Sequence, residues 1–290
     1  MSMSKTRAYI ILLAAFLFLS SCTGPGQSPA GASPSPSVSP TAEPGTASPS
    51  PTESAPPSAS PGSESTPKVP ADSDYEFVTE TYQKGEVSIR YPQLTGLTDS
   101  ETQSAVNEMI KECALRDMVY INSEEGNVNY ELDYEVTFSR GGFLSIKFPG
   151  YSNTEGAAHP TSFFYTINID MKNQSLIRLS DLVKIDEGFA GVFRKGAYRS
   201  EYDEISPEWK QALDEYLNET DSAGWVKNLK GSDVAGDENI DGVYSYFSED
   251  SLVISVLVPH VLGDYTELAI DYKDLAPYKT GHPLWDVVGK

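Results

Sequence analysis

Cysteine is almost absent from this sequence, which has only Cys22 and Cys113 in 290 residues. Cys113 follows Val106, Met109 and Ile110 at the spacing of one helix face. We therefore interpret it as a small buried apolar residue and not as a catalytic thiol. Cys22 has a separate role, predicted below, which leaves the folded part of the chain without a disulfide. A domain of about 200 residues buries enough apolar surface to fold without one.

Basic residues are also scarce, because 21 Lys and Arg stand against 42 Asp and Glu, for a formal net charge of −21. Residues 71–290 hold 39 of the acids and 18 of the bases. This balance excludes nucleic acid as a partner, since contacts with phosphate need a basic face. It also disfavours contact of this domain with anionic lipid. A cationic partner fits such a surface, although high net charge also serves solubility alone.

Histidine occurs only three times, at His159, His260 and His282. None of the three has the spacing of a zinc site, so the sequence predicts no metal. His159 precedes Pro160 in a predicted loop, and a single histidine in a tight loop more often orders that loop by hydrogen bonds than it binds a ligand.

Motifs of enzymes are missing as well. The sequence has no G-x-S-x-G elbow, no phosphate-binding glycine loop and no dinucleotide fingerprint, which predicts a protein that is not an enzyme and has no cofactor. A hydrolase with two acidic catalysts remains an alternative, because acids are abundant. The acids Asp233, Asp237, Glu238 and Asp241 lack the spacing of a calcium loop, and we interpret them as a solvated surface loop.

No apolar run is long enough to span a membrane, since a span needs roughly 20 residues. The apolar run 9–19 follows Lys5 and Arg7 and precedes Ser20, Ser21 and Cys22. This order predicts a signal peptide over 1–21, and it resembles a bacterial lipobox, in which the cysteine becomes a lipid-bearing N-terminus. Cys22 is thus the predicted lipidation site, and the outer face of the cytoplasmic membrane is the predicted location. An ordinary cleaved signal with an unrelated cysteine is the alternative.

Aromatic residues are absent from residues 23–70, which contain 13 Pro and 12 Ser. Such a composition does not bury apolar surface, so we expect residues 22–70 to form a disordered stalk that begins at the lipidated cysteine. A wall-spanning spacer and a featureless linker are both compatible with this segment.

The remaining residues, 71–290, predict an α+β domain with antiparallel β-sheet packed against a few helices. Strands are indicated by alternating apolar residues, and helices by the 3.6-residue period and by caps such as Ser206-Pro207. Gly141-Gly142 indicates a tight hairpin turn. The predicted strands lie at 87–91, 128–138, 144–148, 163–170, 176–179, 251–258 and 265–272, and the predicted helices lie at 98–118, where Thr98 heads a capping box, and after residue 206.

Several segments resemble a known family in their order and spacing. They are 91–97 (YPQLTGL), 143–146 (FLSI), Tyr151 with 156–160 (GAAHP), 165–170 (YTINID), 179–183 (LSDLV) and 247–275. This order resembles the extracytoplasmic domain family that includes the lysozyme-sensing anti-sigma factor RsiV and the accessory domain of the peptidoglycan deacetylase PdaC. By this resemblance, 74–172 is similar to the PdaC accessory domain and 173–290 to RsiV.

The resemblance implies a recognition module and not an enzyme. It implies binding of a cationic, lysozyme-like extracellular protein, with binding of peptidoglycan or another cell-wall glycan as the alternative. The family has an aromatic residue followed by a Gly-(Gly/Ala)-Ala-His loop, and this pattern is similar to Tyr151 with Gly156 to His159 here. By this resemblance, Tyr151, Gly156 and His159 are the predicted ligand-binding residues. The sigma-binding segment of the anti-sigma factor and the catalytic domain of the deacetylase have no counterpart in this sequence.

Overall fold

The computed structural model describes residues 75–119, 121, 128–200, 205–234, 239 and 242–289. These residues belong to one compact unit. The predicted signal peptide, Cys22 and the predicted stalk lie outside the described residues, as do Asp237, Glu238 and Asp241. Within the described part of the chain, no helix is long and apolar enough to cross a membrane.

The first sheet has seven strands and contains most of the N-terminal half of the domain. Its strands run in the order β1-β2-β3-β5-β6-β7, and β4 pairs with β5 on the same side as β3. All pairs are antiparallel except β2 with β3, which is parallel. The strands are β1 (Glu76–Lys84), β2 (Val87–Thr95), β3 (Val128–Leu132), β4 (Glu135–Arg140), β5 (Phe143–Thr154), β6 (Thr161–Asp170) and β7 (Ser175–Leu176).

The second sheet has four strands in the order β8-β11-β10-β9, all antiparallel. Four helices of the C-terminal half pack with this sheet, and one further helix, α1, packs on the first sheet. The strands are β8 (Ala197–Arg199), β9 (Tyr244–Phe247), β10 (Ser251–Leu257) and β11 (Tyr265–Asp271), and the helices are α1 (Ser100–Ala114), α2 (Leu179–Leu182), α3 (Glu187–Phe193), α4 (Pro207–Glu219) and α5 (Ser222–Lys230). The predicted α+β class is confirmed, with one parallel strand pair in a sheet that is otherwise antiparallel.

The predicted strand 128–138 is interrupted between β3 and β4. Leu132 pairs with Gly150 and Glu135 pairs with Lys147 in one register, so the two strands continue each other along β5. The break lies opposite Pro149, which has no N–H to donate across the ladder. Farther along β4, a bulge at Thr137 shifts the register of its pairing with β5. The predicted alternation of side chains between the two faces of the sheet, from 128 to 138, is therefore wrong at Phe138.

Helix α1 begins one residue later than the capping box at Thr98 predicts. Asp99 is the N-cap, and its carboxylate accepts hydrogen bonds from the backbone N–H groups of Glu101 and Thr102. Val106 and Ile110 are fully buried against the first sheet, and Cys113 packs beside them partly buried.

The predicted return strand 176–179 is also shorter than expected. Only Ser175 and Leu176 pair with β6, and Leu179 is the first residue of α2. Its side chain is buried in the apolar core. The apolar pattern therefore predicted the burial of Leu179 correctly but not its backbone conformation.

The core consists of two apolar clusters that exchange residues. The first cluster lies between α1 and the first sheet but includes Tyr244, Tyr246 and Val253 of the second sheet. The second cluster lies between the second sheet and α2–α5 but includes Phe138 and Phe143 of the first sheet.

A buried polar seam joins the two sheets. It consists of Ser145, Asn168 and Ser245, all less than 4% exposed. The Ser145 hydroxyl donates to the Asn168 amide oxygen at 2.5 Å, and the Asn168 amide nitrogen donates to the Ser245 carbonyl at 2.8 Å. Because these groups satisfy one another, burial leaves no orphaned hydrogen-bonding partner among them.

Candidate functional site

The loop predicted to bind a ligand connects β5 to β6. Tyr151 lies on β5 opposite Ser162 and is 37% exposed. Gly156 has φ +84°, and a Cβ built there would meet nothing within 4 Å, so this position needs glycine for its backbone conformation and not for close packing. His159 is exposed at the end of the loop. The three residues lie at the end of the β5–β6 hairpin where the loop connects the two strands, and their ligand-binding role stays a prediction.

His159 does not stand alone in the structure. Its ring stacks on that of His260, with ring centroids 3.6 Å apart and an angle of 7° between the ring planes. Its Nδ1 lies 3.0 Å from the Pro160 carbonyl oxygen. The interaction joins the β5–β6 loop to the 3-10 turn that follows β10, a pairing that sequence spacing does not reveal because the two residues are far apart in the chain.

Asp264 completes this connection. Its carboxylate lies 3.0 Å from Nδ1 of His260 and accepts a hydrogen bond of 2.8 Å from the Ser162 backbone N–H. Asp264 has φ +69°, a conformation that asparagine and aspartate tolerate better than other non-glycine residues. The loop, the 3-10 turn and the start of β6 therefore form one fastened surface, which we call the histidine corner (His159, Ser162, His260 and Asp264).

An exposed apolar tip lies next to the histidine corner. Val261 follows His260 and is 84% exposed, and Leu257 at the end of β10 is 46% exposed. Single exposed apolar residues are common. Val261 nevertheless stands on a hairpin that two side-chain contacts hold in place, which makes it a rigid apolar feature of the surface.

The third histidine lies elsewhere. His282 caps the 3-10 turn at Pro283–Asp286, where its Nδ1 accepts from the Leu284 backbone N–H at 3.2 Å. Over the residues that the structure describes, no group of three or more His, Cys, Asp or Glu side chains is arranged to hold a metal.

A cavity of about 200 Å³, which sequence reasoning missed, lies between α1 and the edge of the first sheet. Met109, Ile167, Leu176 and Ile177 form apolar walls. The polar lining residues are Glu112 and Arg116 from the α1 side, Thr166 and Asn168 from β6, and Asp233 from the segment after α5. No motif marks these residues, because four separate segments of the chain contribute them.

Arg116 is held away from free solvent beside this cavity. Its guanidinium carbon lies 3.3 Å from the centroid of the Tyr165 ring, and its Nη2 donates to the Tyr244 hydroxyl at 2.6 Å. Its Nε is 3.9 Å from the Asp117 carboxylate. Asp117 also accepts hydrogen bonds from the hydroxyls of Tyr130 and Tyr165, while burial raises its pKa. The charge of Arg116 is thus balanced locally.

For Asp233 alone, the interpretation as part of a solvated acidic loop is wrong. Its carboxylate accepts hydrogen bonds from the Leu179 backbone N–H at 2.7 Å and from the backbone N–H and hydroxyl of Ser245 at 2.6 and 2.8 Å. Burial raises the pKa of this carboxyl to about 6, although the hydrogen bonds oppose the shift. Asp233 therefore joins α2, α5 and β9, with φ +61°.

Cys113 lines the same cavity but is poorly suited to nucleophilic chemistry. Its Sγ is 3.8 Å from the Thr166 carbonyl oxygen, and desolvation raises the pKa of the thiol to about 11. A thiol with a raised pKa carries little thiolate at neutral pH.

Comparison with known proteins finds a family model that is similar to part of the chain. Residues 78–162 match the family model described as Deacetylase PdaC. This segment is PdaC-like. The resemblance predicted from the sequence is confirmed for it, and the PdaC-like segment contains Tyr151, Gly156 and His159 as well as α1. His260, Asp264, Thr166 and Asp233 lie beyond the matched residues.

Solved structures of two proteins of the DUF3298 family are similar to the chain. One is from Bacteroides fragilis NCTC 9343, is 14% identical, has a TM-score of 0.42, and is matched over 73% of this chain and 95% of that chain. The other is from Pseudomonas aeruginosa PAO1, is 14% identical, has a TM-score of 0.43, and is matched over 71% of this chain and 94% of that chain. No curated protein matches the chain in sequence.

Proposed function

We propose that this protein is a membrane-anchored extracytoplasmic binding module that captures a cationic protein of the lysozyme type. The observation that carries the proposal is the charge of the folded surface. Among the described residues, 22 exposed side chains are acidic and 10 are basic. An acidic surface raises the rate of encounter with a cationic protein and suppresses encounter with acidic ones.

The histidine corner supplies a place for contact. Binding surfaces favour rigid features that need no ordering when the partner arrives, because immobilising a loop costs free energy. The stacked imidazoles and Asp264 fasten the β5–β6 loop to the 3-10 turn that carries the exposed Val261, and Tyr151 lies on β5, which leads into the loop. Tyrosine combines a large apolar area with a polar tip and is enriched at interfaces.

The test is calorimetry and co-elution of residues 61–290 with lysozyme at about 20 and 300 mM NaCl, concentrations that differ several-fold in screening length. We expect a 1:1 complex that weakens about tenfold or more at the higher salt. Succinylated lysozyme, whose positive charges are replaced by negative ones, is the matched control and should not bind. Absence of a complex at low salt, or equal binding of the succinylated protein, contradicts the proposal.

Binding of a cell-wall glycan is the second candidate, and the description of the matched family as a deacetylase supports it. Purified peptidoglycan that sediments with residues 61–290 in the absence of any other protein would favour this candidate. A fragment that stays in the supernatant while it binds lysozyme would favour the first.

The anchor belongs to the same proposal. We expect Cys22→Ser to release the protein from the membrane fraction and to abolish labelling by a radioactive fatty acid, because two acyl chains provide stable attachment and none remains without the thiol. Cys113→Ser is the control and should leave both properties unchanged. Membrane-bound, unlabelled protein in the Cys22→Ser variant would instead indicate an uncleaved signal.

A further inference from the structure

Two histidine rings lie face to face in the histidine corner. His159 belongs to the β5–β6 loop and His260 to the 3-10 turn after β10, and their ring centroids are 3.6 Å apart. Both rings reach solvent, since His159 is exposed and the side chain of His260 is 35% exposed. Histidine is the side chain that changes its charge between pH 5 and 8. The contact between the loop and the turn is therefore made by two groups whose charge follows pH.

A single proton on the pair leaves this contact intact. Nδ1 of His260 lies 3.0 Å from the Asp264 carboxylate, which balances the charge when His260 takes up a proton. The neutral ring of His159 then stacks on the charged ring without repulsion between like charges. The loop therefore stays fastened while at most one of the two imidazoles is protonated.

A second proton places like charges in direct contact. Nδ1 of His159 lies 3.0 Å from the Pro160 carbonyl oxygen, and this neutral acceptor does not balance a full charge. With both rings protonated, two positive charges lie 3.6 Å apart and repel each other even with the screening of water. When the rings separate, water solvates each one independently, so the separated state binds the second proton more readily. Falling pH therefore favours separation of the loop from the turn.

The other charged side chains around the corner are exposed or engaged elsewhere. Glu267 on β11 is buried, and its carboxylate accepts a hydrogen bond from the Tyr246 hydroxyl on β9. The 3-10 turn also packs on the first turn of α4, where Trp209 lies beside Gly263. The exposed charges of the loop and of this first turn are Glu155, Glu208 and Lys210. Salt screens exposed charges, so Asp264, which contacts His260 directly, has the largest effect on the pair.

We propose that the histidine corner is a pH-sensitive switch, which holds the β5–β6 loop against the 3-10 turn near neutral pH and releases the loop when both imidazoles are protonated. The released segment carries Gly156 and His159, two of the predicted ligand-binding residues. Its amide groups then exchange with solvent more readily, and so does the Ser162 N–H, whose acceptor Asp264 lies across the contact. The switch needs no ligand and does not depend on the proposed function.

The experiment is hydrogen exchange of the purified full chain at pH 7 and 5, measured by mass spectrometry and corrected for the intrinsic effect of pH on exchange. We expect protection over residues 155–162 to fall about fivefold or more at pH 5, the factor that two unit charges about 4 Å apart give with the screening of water. Residues 187–193, which form α3, are the internal control. The Asp186 carboxylate caps this helix, and a hydrogen bond from Lys184 lowers its pKa, so the cap stays charged across this range.

Two variants test whether the histidine pair causes the change. His159→Phe keeps a ring against His260 but does not take up a proton, so its loop should stay protected at both pH values. His282→Asn removes the imidazole that caps the 3-10 turn at Pro283–Asp286 and replaces it with a residue favoured at N-caps. It should respond to pH like the unaltered chain, because the histidine corner is unchanged.

A fall in loop protection at the lower pH that His159→Phe abolishes and His282→Asn retains supports the switch. Equal loop protection at both pH values, or a fall that His159→Phe retains, overturns it. Circular dichroism of each variant at both pH values checks that the domain is folded. His260→Phe, which also leaves a single titratable ring in the stack, is the second variant and should likewise abolish the pH response. Because no ligand is present, failure of the switch leaves the proposed function intact, and failure of lysozyme to bind leaves the switch intact.

Discussion

At the scale of single residues, Asp233 combines two unfavourable features. A left-handed backbone conformation in a residue other than glycine costs of order 1 kcal/mol, and burial disfavours its charged form. Both are tolerated because the carboxylate satisfies backbone N–H groups of α2 and β9 that would otherwise lack partners in this region. Asp233 is thus a structural connection between elements that are distant in sequence.

The stability of the protein should depend on pH through this residue. Because the folded pKa of about 6 lies above the ordinary 3.8, the native state binds more protons between these values. The contribution of Asp233 is therefore present at low pH and is lost as pH rises through this window. Relative to Asp233→Asn, we expect the unaltered chain to gain about 1 kcal/mol of unfolding free energy between pH 7 and 5.

Urea unfolding at both pH values measures this difference. Asp271→Asn, which alters an exposed acid, should follow the unaltered chain at every pH in the window. A gap between the unaltered chain and Asp233→Asn that is the same at pH 5 and 7 would contradict the assignment.

Sequence reasoning reached some of these residues and missed others for physical reasons. Gly156 and His159 were identifiable because a glycine and a histidine in one short loop are visible without the fold. Thr166 and Asp233 were not, since a threonine inside a strand and an acid among acids carry no local signal. Only the tertiary structure brings them to one cavity.

At the scale of elements, the tight turn between β4 and β5 packs against the C-terminal segment of the chain. Gly141 and Gly142 have φ of +64° and +83°, as the predicted tight turn requires. A Cβ on Gly141 would lie 2.7 Å from Cγ1 of Val287, whereas one on Gly142 would meet nothing within 4 Å. The turn thus packs against the C-terminal segment on one side only.

The two glycines form a matched pair for mutation. We expect Gly142→Ala to cost about 1 kcal/mol for its left-handed backbone, and Gly141→Ala to cost about 1–3 kcal/mol more because it also overpacks Val287. Denaturant unfolding of both variants gives the comparison. Equal losses would show that Val287 moves aside freely.

The histidine corner supports a second test at this scale. Asp264→Ala removes the acceptor of the Ser162 N–H, so we expect faster amide exchange at Ser162 and in residues 155–160. Asp274→Ala changes an exposed acid outside the corner and should leave this exchange unchanged. Protection that survives Asp264→Ala would mean that the ring stacking alone holds the loop.

The positions of most strands were predictable from alternation, and their failures have local causes. Pro149 interrupts the pairing of β5 with the predicted long strand, yet it lies on the partner strand and leaves no trace in the alternation of 128–138. Leu179 is apolar and buried in either conformation, so its pattern could not distinguish the end of a strand from the start of α2.

At the scale of the whole molecule, the two apolar clusters are not independent. Tyr244, Tyr246 and Val253 complete the first cluster, and Phe138 and Phe143 complete the second. The division into halves at residue 172, which the sequence resemblance suggested, would separate these partners. A PdaC-like segment isolated from the rest would expose part of its own core.

We therefore expect residues 71–172 produced alone to lack a cooperative unfolding transition, while residues 61–290 unfold in a single step. Circular dichroism during urea titration, with intrinsic fluorescence as the second probe, makes this comparison. Cooperative unfolding of the shorter fragment would show that the first cluster is self-sufficient without β9 and β10.

Hydrogen bonds between the two sheets form late in synthesis, because they join residues that are far apart in the chain. The Asn168–Ser245 hydrogen bond joins residues 77 positions apart, and the Thr137–Phe247 hydrogen bond joins residues 110 apart. Contacts of such separation close large loops and slow folding. As the chain emerges from its N-terminus, the first sheet appears well before β9 exists, with Phe138 and Phe143 uncovered. We therefore expect the newly made chain to pass through an interval in which these uncovered side chains make it prone to aggregation.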